Sequence, residues 1–189
     1  MIRIGILGDI GSGKSYVAKS FGYPVFNADA EVGILYKTDK KVFKKLKKIL
    51  PKYISSFPIN KDEISQAILA NNSNLKKIIK IVHSEIRKKM NIFLEKNINK
   101  KIVILDIPLL LENKINKKND ILVFVQSKKT DISKRLKKRK NFNTKLIRKF
   151  RNIQLLNKHK KKKSQFIIRN DFTKKSVNNS IRNIIKKIL

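Results

Sequence analysis

The chain has 189 residues, 47 of them Lys or Arg against 13 Asp or Glu, for a formal net charge of +34, and 41% of it is hydrophobic. That length fits one domain with a proper core, and no apolar run approaches the roughly 18 residues of a membrane span, so a soluble chain is expected. Cysteine is absent, which excludes disulfides, thiolate nucleophiles and Cys-ligated metal sites and favours a reducing cytoplasm.

The basic excess extends from residue 37 to residue 187 and travels with many Ile and Asn residues, the pattern of an AT-rich coding bias. It reads as solvated background that attracts anionic nucleotides and gives salt-sensitive, non-specific nucleic-acid binding, with no specific nucleic-acid partner.

In chain order, residues 2–7 form an apolar strand that leaves no room for a signal peptide ahead of it and runs into a glycine-rich segment. A helix follows at residues 14–21, a short strand at 23–26, and then a helix beginning near Ala30, capped by Asn27 or Asp29. Residues 40–99 read as helical almost throughout. One apolar stripe is Val42, Leu46, Ile49 and Leu50; another is Ile78, Ile79, Val82, Ile86, Met90, Phe93 and Leu94, with Pro51 and Pro58 punctuating the stretch between. Buried strands are expected at 101–106 and 120–126, a basic helix at 130–139, a polar loop near Asn141, a helix capped by Thr144, a strand at 165–168 and a closing helix at 176–189. The lysine-dense run 158–163 reads as a solvated turn. Strands alternating with helices give an α/β fold whose parallel sheet is covered on both faces, with ligands at the carboxyl ends of the strands.

The strongest motif is Gly8-Asp9-Ile10-Gly11-Ser12-Gly13-Lys14-Ser15, which satisfies G-x-x-x-x-G-K-[ST] and lies between a strand and a helix, as a phosphate loop requires. Glycines let successive N–H groups turn inward around the β-phosphate at a helix N-terminus. Lys14 then reaches the β- and γ-phosphates, and the Ser15 hydroxyl joins the shell of the Mg2+ that accompanies ATP. The motif alone does not separate a kinase from a GTPase, a motor or a regulatory ATPase.

Two carboxylates narrow the choice. Asp29 follows the second strand, where it either orients and deprotonates an acceptor hydroxyl or caps the next helix. Asp106 ends an apolar strand, where it either binds Mg2+, directly or through water, or caps a loop.

Several segments taken together resemble the dephospho-coenzyme A kinase family. They are the phosphate loop; Asn27-Ala28-Asp29, similar to the family's Asp-Ala-Asp; Asp106-Ile107-Pro108-Leu109-Leu110-Leu111-Glu112, close to its Asp-x-Pro-Leu-Leu-x-Glu; and His83, in the first position of its His-Pro pair. Arg135 and Arg139 lead into residues 140–143, which resemble the family's lid, and Gln154 and Phe166-Ile167-Ile168-Arg169-Asn170 match its later segments. The likeness covers residues 2–184. Departures are Tyr16 for Thr, Asn27 for the first Asp, Ser84 for Pro, and Phe172 where a glycine often follows Asn170.

The resemblance implies a P-loop kinase fold with a parallel five-stranded sheet. The single domain would have a core at about 1–36 and 100–189, a helical acceptor-binding insertion at about 37–99 and a lid at about 135–150. It implies transfer of the γ-phosphoryl group of ATP to the ribose 3′-hydroxyl of dephospho-coenzyme A, the final step of coenzyme A biosynthesis, by a cytoplasmic monomer or weak homo-oligomer. Asp29, Lys14 and Arg139 would be catalytic. Gly8, Gly11, Ser12, Gly13, Lys14, Ser15, Tyr16, Arg135 and Asn170 would hold ATP. Asp29, His83, Pro108, Leu109, Leu111 and Glu112 would meet the acceptor, and Ser15 and Asp106 the Mg2+. Without the resemblance, His83 reads as a core histidine, Arg135 and Arg139 as solvated charges and Glu112 as the partner of a surface lysine. Rival readings are a nucleoside or nucleotide kinase and an ATP-switched nucleic-acid-binding protein.

Overall fold

The computed structural model describes residues 1–139 and 142–189; the expected loop at 140–143 includes Lys140 and Asn141, which lie outside the described residues. Five strands, β1 (Ile2–Gly8), β2 (Val25–Asn27), β3 (Ile102–Asp106), β4 (Ile121–Gln126) and β5 (Phe166–Arg169), form one sheet in the order β2-β3-β1-β4-β5. Every pairing is parallel. β1 is therefore central, and the chain crosses to β3 on one side of it and β4 on the other. Such a reversal opens a crevice at the carboxyl ends of the strands.

β1, β3 and β4 are buried runs because helices cover the sheet. Ile4, Ile6, Ile102, Ile104, Val123 and Val125 share one cluster with Val17 and Ala18 of α1 (Lys14–Ser20) and with Val177, Ile181 and Ile184 of α9 (Lys174–Ile188). Between Ile4 and Ile6, Gly5 faces the other way, toward Leu110 and Leu122; a Cβ there would collide with Leu110 Cδ2. The turn after β3 thus docks on the sheet because residue 5 has no side chain. At the far end of β1, Arg3 is paired with buried Asp120 through Nε at 3.0 Å and also donates to its Oδ2 at 3.0 Å.

The chain divides into two compact units, one comprising Met1–Asn27, Asn97–Phe142 and Ile153–Leu189, the other Ala28–Lys96 and Asn143–Asn152. The first holds the sheet with α1, α6 (Lys129–Lys137), α8 (Asn157–Lys163) and α9. The second is helical: α2 (Ala28–Thr38), α3 (Lys40–Ile49), α4 (Lys61–Ala70), α5 (Asn72–Lys96) and α7 (Thr144–Asn152). Its core takes Leu35, Val42, Leu46, Ile68, Leu75, Ile78, Val82 and Ile86, much of it the two stripes read from the sequence.

Several local expectations are corrected. The stretch 40–99 is three helices, because capping side chains restart the chain: Asp39 accepts from the Val42 N–H, Asn60 from Asp62, and Asn71, itself extended, from Ser73. Helix α2 starts at Ala28, directly after β2, and the Asn27 side chain is engaged elsewhere. Asn143, one residue before Thr144, caps α7 by accepting from the Leu146 N–H. The lysine run is helix α8, and it buries Lys160 to 1% exposure. Among the described residues no helix is long and apolar enough to cross a membrane.

Candidate active site

The phosphate loop joins β1 to α1, and its backbone is held open by residues distant in sequence. Gly8, Gly11 and Gly13 all have positive φ. Gly13, at φ 92°, has a second reason to be glycine: a Cβ would collide with Asn170 Nδ2. That amide nitrogen donates to the Ser12 carbonyl at 2.9 Å, and the Ser127 hydroxyl donates to the same oxygen at 3.0 Å. Asn170 and Ser127 follow β5 and β4 directly, so two strand ends pin one carbonyl. Within the loop the Ile10 N–H donates to Asp9 Oδ1 at 2.7 Å and the Ser12 N–H to the Asp9 carbonyl at 3.2 Å, and a glycine-rich turn of this kind suits an anion. Lys14 Nζ donates to the Asp9 carbonyl at 2.8 Å and to that of Gly8 at 3.3 Å, which folds it over the loop.

Ser15 closes the motif beside two polar strand-end residues. Asn27 Nδ2 donates to Asp106 Oδ2 in a short hydrogen bond and reaches Ser15 Oγ at 3.5 Å. The bridge exists because β2 and β3 pair in register, with Asn27 opposite Asp106. Asp106 is 3% exposed. Among the described residues no cluster of three His, Cys, Asp or Glu could hold a metal. A hydroxyl and one carboxylate suit a Mg2+ that keeps waters and arrives bound to phosphate.

The loop's flank carries Arg135 and Phe172. The Arg135 guanidinium lies 4.2 Å from the centre of the Phe172 ring, a cation–π contact. Phe172 has φ 67°, the left-handed region where a glycine is unstrained, which gives a physical meaning to the glycine that often stands there. The conformation is held by the Phe172 N–H donating to Asn170 Oδ1 at 2.9 Å. Beside it, hydrogen bonds from Thr173 hold the Asp171 carboxyl below its usual range. Tyr16 and Arg139 are exposed.

The turn after β3 carries the remaining candidates of this unit. Leu110 and Leu111 are buried, whereas Pro108 and Leu109 are half-buried. Glu112 is paired, but with a buried lysine in place of the expected surface one: Lys160 Nζ lies 3.0 Å from Glu112 Oε1. In the second unit, Asp29 is an exposed residue of the first turn of α2, and His83 is a half-buried residue of α5.

Of Ser127, Asn27 and Lys160, the first and last were not singled out from the sequence, and Asn27 was read only as a helix cap and as a departure from the family's first aspartate. Position could have found the first two, since both stand at the carboxyl end of a strand, where ligands gather. Nothing local marks Lys160 among its neighbours.

The dephospho-CoA kinase family profile matches residues 2–176. The chain belongs to the dephospho-CoA kinase family. A dephospho-CoA kinase from Wolbachia pipientis wMel is 34% identical over 190 residues, covering 98% of this chain and 97% of its own. One from Rickettsia bellii is 30% identical over 191 residues, covering 100% and 98%. Among solved structures, TT1252 from Thermus thermophilus superimposes with a TM-score of 0.76 at 22% identity, covering 100% and 98%. Dephospho-CoA kinase from Campylobacter jejuni does so at 0.62 and 20%, covering 98% and 96%. Shikimate kinase from Bacteroides thetaiotaomicron, at 0.53 and 13% identity, covering 99% and 98%, shares the fold. The fold of this chain is thus shared with these solved structures.

Proposed function

We infer that this chain transfers the γ-phosphoryl group of ATP to the 3′-hydroxyl of dephospho-coenzyme A, releasing coenzyme A and ADP. One observation carries the phosphoryl-transfer reading within the family: a phosphate loop whose Ser12 carbonyl is pinned from two strand ends, with Lys14 folded over it.

Gly8, Gly11, Ser12, Gly13 and Lys14 surround the β- and γ-phosphates, and Lys14 exchanges its two carbonyl acceptors for phosphate oxygens. Tyr16 and Asn170 flank the nucleotide, and Arg135 with Arg139 supplies cations from the lid at about 135–150. Ser15 and Asp106 would hold Mg2+, which neutralises phosphate charge when bound. Asp29 orients the attacking hydroxyl and takes its proton, so the hydroxyl oxygen forms the new P–O bond as the β–γ bridging bond breaks toward ADP. His83, Pro108, Leu109, Leu111 and Glu112 contact the acceptor, and lid closure excludes water that would otherwise take the phosphoryl group.

The test is Asp29→Asn. ATP binding measured by calorimetry is expected within about twofold of wild type, while kcat falls by about 10²- to 10⁴-fold, the usual contribution of a positioned base. A kcat near wild type would remove Asp29 from the reaction.

A further inference from the structure

One buried cation has no place in the chemistry above. In a chain with 47 basic residues, nearly all solvated, Lys160 is 1% exposed. Lysine is almost never buried this far unless paired, because desolvating an ammonium is repaid only by close, well-aligned partners. Lys160 has two. Its Nζ is 3.0 Å from Glu112 Oε1 and donates to Gln154 Oε1 at 2.8 Å.

The arrangement around Glu112 is one-sided. Oε1 receives the Lys160 ammonium and also the Leu155 N–H at 2.8 Å. Oε2 is buried and has no hydrogen-bond partner among the described residues, and the side chain as a whole is 8% exposed. A carboxylate serving only as a structural ion pair gains by using both oxygens, and a buried acceptor left without a donor is costly. Here Leu155 and Lys160 bind one oxygen, Gln154 holds Lys160 from the other side by accepting from its ammonium, and the second oxygen, though buried, is left without a protein donor. The helix carrying Lys160, α8, begins immediately after Leu156, so the clamp is rigid at one end.

We propose that Lys160 is a positioning residue. It holds Glu112 by Oε1 so that Oε2 faces the acceptor as a preset hydrogen-bond acceptor for a hydroxyl or amide N–H of dephospho-coenzyme A. Lys160 itself touches no substrate. This rests on the reading of Glu112 as an acceptor contact.

Steady-state kinetics with both substrates varied tests it, using Glu112→Gln, Lys160→Met and Gln154→Leu, with folding checked by circular dichroism. Glu112→Gln is expected to raise KM for dephospho-coenzyme A about tenfold, with KM for ATP within about twofold. Lys160→Met reproduces that split. Should Lys160→Met not fold, Gln154→Leu decides: it keeps the ion pair, removes the second acceptor of Lys160, and is expected to raise the same KM about threefold. A purely structural lysine would lower the melting temperature and leave the ratio of the two KM values unchanged. If Glu112→Gln moves KM for dephospho-coenzyme A and the folded Lys160 or Gln154 variant does not, the role of Lys160 is overturned alone. If Glu112→Gln moves neither KM, the acceptor reading of Glu112 fails and this inference with it.

Discussion

Asn27→Asp restores the aspartate that the family has at this position, and the structure says it should harm the free protein. In the wild type an amide N–H of Asn27 meets the Asp106 carboxylate. The substitution replaces that donor by a second carboxylate oxygen. A hydrogen bond to a charged group contributes about 1.5–3 kcal/mol. Two carboxylates about 4 Å apart repel by about 4 kcal/mol at an effective dielectric constant near 20. Asn27 is only half-buried, so water screens part of the repulsion, and sharing a proton relieves more of it. A net loss of about 3 kcal/mol is reasonable, which for a chain of 189 residues lowers the melting temperature by about 6–12 °C at neutral pH. The assay is a thermal melt in chelator, repeated with Mg2+ and at acid pH. The deficit should shrink in both cases, since a divalent cation or a shared proton removes the repulsion. An Asn27→Asp protein that melts with the wild type in chelator would refute the bridge between β2 and β3.

Two further outcomes follow from packing and charge. Gly13→Ala places a methyl group against Asn170 Nδ2 and requires φ near 92°, so it should cost about 2–5 kcal/mol from left-handed strain and a displaced buried hydrogen bond; chemical denaturation and loss of calorimetric ATP binding check it, and unchanged ATP affinity would contradict the pinning of Ser12. Burial raises the Asp120 carboxyl above its ordinary value, against the lowering effects of the Lys117 N–H and Arg3, so the folded chain keeps this proton to higher pH than the unfolded one. Its contribution to stability is then greatest at acid pH and declines as pH rises through the raised value. The stability difference between wild type and Asp120→Asn should narrow from acid to neutral pH, and a widening difference would contradict the sign.

The phosphate loop was legible because its chemistry is local: eight consecutive residues, Gly8 to Ser15, carry the turn, the donors and the lysine. The strands were legible as apolar runs, and Asp106 as an acidic strand end. What escaped depends on partners far along the chain. Lys160 looks like any other lysine in its run, since burial follows from Glu112, 48 positions earlier. The Asn27 substitution reads as a loss in isolation, and only the β2–β3 register makes it a donor to Asp106. Phe172 reads as a departure from glycine, whereas in three dimensions it keeps the glycine-like backbone and adds a ring beneath Arg135. Of the breaks in the helical stretch, the one at 50–60 was marked by Pro51 and Pro58, whereas the one at Asn71 was missed, because a side-chain cap with no proline or glycine beside it restarts the helix.

The central claim is the identity of the acceptor. Purified protein incubated with Mg-ATP and dephospho-coenzyme A should release ADP in step with conversion of the acceptor to a species heavier by one phosphoryl group on the ribose 3′-oxygen, identified by mass spectrometry and fragmentation. The same assay with nucleosides and nucleoside monophosphates should give no product. ADP release without phosphorylated dephospho-coenzyme A, or a phosphorylated nucleoside in its place, would contradict the account.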